Sequence, residues 1–157
     1  MKNRAGGTFN GLFLGGFEHS LDSQGRIILP SEWRQPDGET TLIMIPTREQ
    51  ALLLLPVEVF QEFVAKARQF AIANASMQAA FAYLGYSSRE CRCDKQGRMA
   101  LDRKLLEKIG VKDTVSLVGA VTHIRLSAPE NWNPPDAENA VDLLNEIQRL
   151  SDENAKA

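Results

Sequence analysis

The stretch Glu18-His19-Ser20-Leu21-Asp22-Ser23-Gln24-Gly25-Arg26-Ile27-Ile28-Leu29 returns, 72 positions later, as Glu90-Cys91-Arg92-Cys93-Asp94-Lys95-Gln96-Gly97-Arg98-Met99-Ala100-Leu101. The same offset carries Gly38 onto Gly110, Ile43 onto Val115, Ile45 onto Leu117, Leu54 onto Leu126, Glu58 onto Glu130 and Phe60 onto Trp132. An ungapped register this long marks an internal duplication, and a duplication constrains the fold before any single element does.

Each copy reads as ββαββ. A short strand ends at Leu21 or Cys93. A tight turn follows, Asp22-Ser23-Gln24-Gly25 or Asp94-Lys95-Gln96-Gly97. Asp at the first turn position accepts backbone N–H groups, and Gly at the last admits φ > 0. A second strand starts at Arg26 or Arg98. A short helix is expected next, with Ser31 or Asp102 as N-cap. Two further strands are expected at 41–45 and 51–55, and again at 114–118 and 123–127. One unit has about 45–50 residues, near the size at which a single core becomes marginal. Two units related by a pseudo-twofold can share one barrel-like core instead.

Between the copies, Phe60, Phe63, Val64, Ala67 and Phe70 fall at helical spacing, and Met77, Ala80, Phe81 and Leu84 continue it after a break near Asn74. Beyond Pro134-Pro135, Ala140, Leu143, Leu144, Ile147 and Leu150 form a third stripe. The commoner fate of such a terminal helix is packing on the barrel edge; the other is docking a partner.

The motifs Asp22-Ser23-Gln24-Gly25-Arg26 and Asp94-Lys95-Gln96-Gly97-Arg98 resemble the paired D-x-x-x-R motifs of the MraZ family. Phe13-Leu14-Gly15, Leu29-Pro30 and Leu117-Val118-Gly119 add to the resemblance, which covers roughly residues 12–132. It implies an α+β, mainly β fold of the AbrB-like type, in which two half-barrel units form a swapped-hairpin barrel. On that plan, 1–11 is a flexible extension, 12–60 the first repeat, 61–83 the inter-repeat helices, 84–132 the second repeat and 133–157 an acidic helix or tail. The resemblance also implies a bacterial transcriptional regulator of the division and cell-wall gene cluster. It would form a homo-oligomeric ring on direct repeats in double-stranded promoter DNA, in the cytoplasm and associated with the nucleoid. Arg26 and Arg98 are then the base-reading residues, with Lys95 and Arg92 on phosphates.

Spacing alone favours a plainer role for those arginines. Each faces its own aspartate across the turn, Asp22 with Arg26 and Asp94 with Arg98, an exposed staple worth under ~1 kcal/mol. The family resemblance reverses that preference, and both roles coexist if Asp positions Arg. Avidity across linked subunits would then supply affinity without a large positive charge. The alternative function is an antitoxin-like interaction module that uses the acidic segment 136–153.

The chain has 157 residues and a net charge of −2, which excludes a uniformly basic nucleic-acid binder. Resolved by segment, residues 88–128 hold nine bases and five acids, and residues 129–157 hold two bases and seven acids. The basic excess therefore lies in the second repeat. Cys91 and Cys93 are the only cysteines. Their C-x-C spacing suits neither a disulfide nor zinc, so buried inert thiols are expected, facing away from Arg92 and Asp94. His19 is the repeat equivalent of Cys91, which could bring the two together, yet that trio supplies only three metal ligands. No enzyme motif, metal site, cofactor, small-molecule substrate or membrane segment is expected.

Overall fold

The computed structural model describes residues 9–36, 38–71, 73–134 and 136–156, with the backbone alone at 70, 71 and 137. Most of the expected N-terminal extension, residues 1–8, and the side chain of Phe70 lie outside the described residues.

Eight strands form one antiparallel sheet. They are β1 Gly16–Ser20, β2 Arg26–Ile28, β3 Thr40–Pro46, β4 Ala51–Pro56, β5 Arg89–Cys93, β6 Arg98–Ala100, β7 Thr114–Gly119 and β8 Ile124–Ser127. Their order, β1-β7-β8-β4-β3-β5-β6-β2, brings the first two strands to the two ends of a nearly closed barrel. β1, β2, β3 and β4 come from the first repeat. Each repeat therefore lends strands to the other: β1 pairs with β7, β5 with β3, β2 with β6 and β4 with β8. That interleaving is the swapped-hairpin topology, and it makes one core from two repeats.

The core is symmetric. Ile27 and Met99, Leu29 and Leu101, Leu52 and Ile124, and Leu54 and Leu126 are buried in repeat-related pairs. Each such burial stabilises by roughly 1.5–3 kcal/mol. β3 and β7 depart from the offset of 72. In β3 the buried residues are Leu42 and Met44; in β7 they are Val115 and Leu117, an offset of 73 (115 − 42 = 73). The cross-repeat registers agree, since Glu18 opposes Ser116 while Glu90 opposes Ile43. The expected pairing of Ile43 with Val115 and Ile45 with Leu117 is therefore corrected by one residue. A one-residue shift sends every side chain to the other face. Ile43 and Ile45 accordingly face outward, where they are half-buried.

The outer face of β3 and β4 is covered by α1 Val57–Ala71 and α2 Ala75–Ser87. The expected break between these helices is present. Asn74 caps α2, its Oδ1 accepting from the N–H groups of Ser76 and Met77 at 2.9 and 3.2 Å.

The helix after the second strand forms in one repeat only. α3, Arg103–Lys108, is capped by Asp102, whose Oδ1 accepts from the Leu105 N–H at 3.1 Å. In the first repeat there is a single 3-10 turn, Ser31–Trp33, and Ser31 is not a cap. Pro36 explains the difference, because the residue before a proline is driven out of the helical region. Trp33 still fills the core at the place of Leu105 and donates from Nε1 to the Leu14 carbonyl at 3.2 Å.

The last helix, α4 Ala137–Ala155, is capped by Asp136. Its stripe does not pack on the barrel. Leu144 and Ile147 are 66 % and 63 % exposed, and Val141, Leu143 and Leu150 are exposed as well.

Candidate nucleic-acid interface

The two D-x-x-G-R turns have the same construction atom for atom. Asp22 Oδ1 accepts from the N–H groups of Gln24 and Arg26, both at 2.9 Å, and Oδ2 accepts from Arg26 Nε at 2.8 Å. Asp94 Oδ1 accepts from Gln96 and Arg98 at 2.9 and 3.0 Å, and Oδ2 from Arg98 Nε at 2.8 Å. Gly25 and Gly97 close the turns with φ of +71° and +86°, each donating to its aspartate carbonyl at 3.0 Å. The backbone N–H of the arginine, and then its side chain, hold each carboxylate below its ordinary pKa. The aspartate therefore stays ionised and fixes the arginine's orientation.

Only Nε of each arginine is used in this way. The Nη groups of Arg26 and Arg98 meet no acceptor among the described residues. That leaves a planar pair of donors presented outward, the geometry that matches phosphate or a guanine edge.

The fold brings the two arginines together. In the β2–β6 ladder Arg26 opposes Ala100, Ile27 opposes Met99 and Ile28 opposes Arg98. Ile27 and Met99 point into the core, so Arg26, Ile28, Arg98 and Ala100 share the outer face. Arg26 and Arg98 are diagonal neighbours there, about 7–8 Å apart at the backbone. Cys93 opposes Met99, so Arg92 lies on the same outer face, beyond Ala100 from Arg26. Lys95 is exposed in the second turn, at one end of this ribbon. Three of the four expected contact residues, Arg26, Arg92 and Arg98, thus share one face, and Lys95 stands in the turn at its end.

Its electrostatics are more restrained than the residue list suggests. Arg26, Arg98 and Arg92 are each matched by an acid, Arg92 Nε donating to Glu90 Oε1 at 2.7 Å. That contact raises the Arg92 pKa. Arg89 is likewise 3.4 Å from Asp102. The uncompensated charge comes from Lys95 and from two residues that sequence reasoning did not place here, Arg34 and Arg103. Arg103 Nη2 donates to the Ser23 carbonyl at 3.0 Å, and Arg34 Nη1 to the Lys95 carbonyl at 3.4 Å. Each clasps the turn of the other repeat. Arg103 lay within the basic segment; for Arg34 no sequence signal exists, because the contact spans 61 residues.

The strands reinforce the same exchange. The Leu29 N–H donates to the Gly97 carbonyl at 2.7 Å and the Leu101 N–H to the Gly25 carbonyl at 3.2 Å. Gly119 serves the barrel end: a Cβ there would lie 2.4 Å from the Phe13 carbonyl oxygen, which bonds the Val121 N–H.

Cys91 and Cys93 are free and buried, and burial pushes their thiols up to about 12 and about 11. His19 and Cys91 are not cross-strand partners, since His19 pairs with Val115 and Cys91 with Leu42. No cluster of three or more His, Cys, Asp or Glu suited to a metal occurs among the described residues. No helix among them is long and apolar enough to cross a membrane.

Swapped strands, paired Asp–Arg turns and a shared outer face define an AbrB-like swapped-hairpin barrel. Residues 12–81 match the family described as "MraZ protein, putative antitoxin-like". The chain is 29 % identical over 143 residues to "Transcriptional regulator MraZ" of Desulforamulus reducens, covering 85 % of this chain and 100 % of that one. It is 28 % identical over 136 residues to the regulator of the same name from Lachnoclostridium phytofermentans, covering 87 % and 92 %. With that of Natranaerobius thermophilus it shares 27 % over 124 residues, covering 78 % and 85 %. These matches make the chain similar to the MraZ family and to its named transcriptional regulators over most of its length.

Proposed function

We propose that this chain is a sequence-specific DNA-binding transcriptional regulator that reads promoter DNA with the outer face of β2 and β6. The observation that supports this most directly is the placement of Arg26 and Arg98. They come from different repeats, stand on one surface, and are each oriented through Nε by an ionised aspartate while the Nη donors point away. Arg26 and Arg98 read base edges in the groove; Lys95 holds phosphate, and Arg92 does so once DNA draws it from Glu90. Asp22, Gly25, Asp94 and Gly97 build the turns that aim them.

A face on which most arginines carry their own acid gains little from bulk electrostatics. Affinity then comes from several copies engaging spaced direct repeats, as in a ring-shaped homo-oligomer. The names of the relatives support a regulator over a catalyst, and the site is proposed to use no cofactor, metal or small-molecule substrate. The promoter class is proposed to be that of the division and cell-wall gene cluster, and the site of action the cytoplasm, at the nucleoid.

The test is a gel-shift titration on promoter DNA carrying spaced repeats, at several salt concentrations. Arg26→Ala is expected to abolish sequence-specific binding while the folded protein keeps its oligomeric mass. Undiminished affinity of a folded Arg26→Ala protein contradicts the assignment. The slope of affinity against salt counts the phosphates contacted per assembly.

A second reading has one observation in its favour. The exposed apolar stripe of α4 suits the interaction-module alternative, in which the segment 136–153 captures a protein. Removing residues 134–157 separates the two, because DNA binding by the barrel face should persist.

A further inference from the structure

Two arginines outside the proposed reading set reach the same atom of each turn. Arg103 Nη2 donates to the Ser23 carbonyl at 3.0 Å, and Arg34 Nη1 to the Lys95 carbonyl at 3.4 Å. The two acceptors are repeat equivalents (95 − 23 = 72), but the two donors are not. Buried Leu106 is the repeat equivalent of Arg34, and Ser31 is that of Arg103. Two inequivalent places in the chain thus supply the same group to the same receptor, which duplication alone does not produce. Each donor is set by its own local structure. Arg103 opens α3 directly after its cap, Asp102. Arg34 follows the 3-10 turn anchored by buried Trp33, and its N–H donates to the Ser31 carbonyl at 3.3 Å. Both guanidinium groups lie against the closing glycines, where a Cβ on Gly97 would be 2.7 Å from Arg34 Nη1 and one on Gly25 would be 3.1 Å from Arg103 Nε. Arg34 Nε is buried there without an acceptor among the described residues, a desolvation cost that a solvated arginine avoids.

We propose that Arg34 and Arg103 are positioning residues that act crosswise: Arg34 of the first repeat aims Arg98, and Arg103 of the second aims Arg26. The turns need such a hold. Among the described residues, turn 22–25 is hydrogen-bonded to the other repeat at two carbonyls, Gly25 through the Leu101 N–H and Ser23 through Arg103. Turn 94–97 is held likewise, Gly97 through the Leu29 N–H and Lys95 through Arg34. The strand bond fixes the base of the turn, and the arginine fixes its tip. A turn free at its tip carries its aspartate with it, and the aspartate orients the reading arginine through Nε. The clasp therefore acts on DNA recognition through a second residue, without touching DNA. It also joins the two reading groups, since each is aimed by the repeat that supplies the other. The inference rests on the proposed reading face only for its effect on DNA; the crossed hold is a property of the barrel itself.

The test uses full-length Arg34→Ala and Arg103→Ala, with circular dichroism like that of the natural chain to show that each is folded. The first readout is the Nε–H signal of each reading arginine by ¹⁵N NMR. Arg34→Ala is expected to move the Arg98 signal to the position of a solvated arginine and leave that of Arg26 in place; Arg103→Ala is expected to do the reverse. Variants that move both signals, or neither, overturn the proposal. The second readout is a gel-shift titration on promoter DNA carrying spaced repeats. Each variant is expected to bind about tenfold more weakly, with the same slope of affinity against salt. A slope reduced by about 0.9 per phosphate means that the arginine holds DNA itself, and overturns the proposal. Full affinity of both variants, where Arg26→Ala binds no specific DNA, overturns it also. Natural affinity of Arg26→Ala instead counts against the reading face, and the crossed Nε–H pattern then decides the clasps by itself, so the two failures are distinguishable.

Discussion

The carboxylate of Asp22 accepts three hydrogen bonds, two from backbone N–H groups and one from Arg26 Nε, and Asp94 does the same for Arg98. Those donors stabilise the ionised form, so both folded pKa values lie below the ordinary 3.8. A depressed carboxylate pKa adds stability above the unfolded pKa and loses it as pH falls through the folded one. The turns should therefore stay closed from neutral pH down through 3.8 and open only below it. The Arg26 and Arg98 amide resonances, followed by NMR against pH, check this; midpoints at or above 3.8 contradict it. The glycines that close the turns differ in what surrounds them. A Cβ on Gly97 would lie 2.7 Å from Arg34 Nη1, and one on Gly25 would lie 3.1 Å from Arg103 Nε. Both positions have positive φ, which alone costs an alanine about 1 kcal/mol. Gly97→Ala is expected to lower unfolding stability by about 1–2 kcal/mol, and Gly25→Ala by less. Urea denaturation of the two variants side by side measures the difference.

At the scale of elements, the duplication is imperfect in instructive places. The D-x-x-G-R turns repeat faithfully, because their hydrogen bonds close within five residues. The helix that follows does not. Asp102 caps α3 and also lies 3.4 Å from Arg89 Nε, whereas Pro36 cuts the first repeat to one 3-10 turn. Asp102→Ala is expected to cost about 1 kcal/mol, mostly as the lost cap, while Ser31→Ala should be nearly neutral. Thermal melts of the two variants test that asymmetry. The extra residue before β7 shows where reading the sequence at a constant offset fails. Ile43 and Val115 are both β-branched, so composition does not reveal that one faces α1 and α2 and the other the core. Only the cross-strand register decides which face is inside. The stripe of α4 is a similar case: helical spacing reveals an apolar face, but not what covers it.

For the whole molecule, the consequence of strand exchange is that neither repeat owns a core. β2 lies at one end of the sheet, paired only with β6, and β1 lies at the other, paired only with β7. A fragment limited to the first repeat and α1, residues 9–71, loses both partners and exposes Ile27, Leu29, Leu42 and Met44. It is expected to be unfolded or to swap with a second copy. Circular dichroism and sedimentation of the fragment, alone and mixed with residues 73–156, check this. A folded monomeric fragment contradicts the shared core. The same exchange creates the proposed DNA face, since Arg26 and Arg98 are 72 residues apart in the chain and diagonal neighbours in the β2–β6 ladder.

The duplication, the turn chemistry of Asp and Gly, the amphipathic helices and the displaced positive charge of the second repeat were all legible in the chain. They depend on local spacing and on composition, which sequence carries directly. The swapped pairing was expected through family resemblance. Three features needed the folded molecule: the one-residue shift in β3 and β7, the convergence of Arg26, Arg92 and Arg98 on one face, and the clasping of each turn by Arg34 or Arg103 of the other repeat. All three depend on which strand lies beside which. Strand pairing is set by the total burial of a shared core, a quantity that no single stretch of sequence contains.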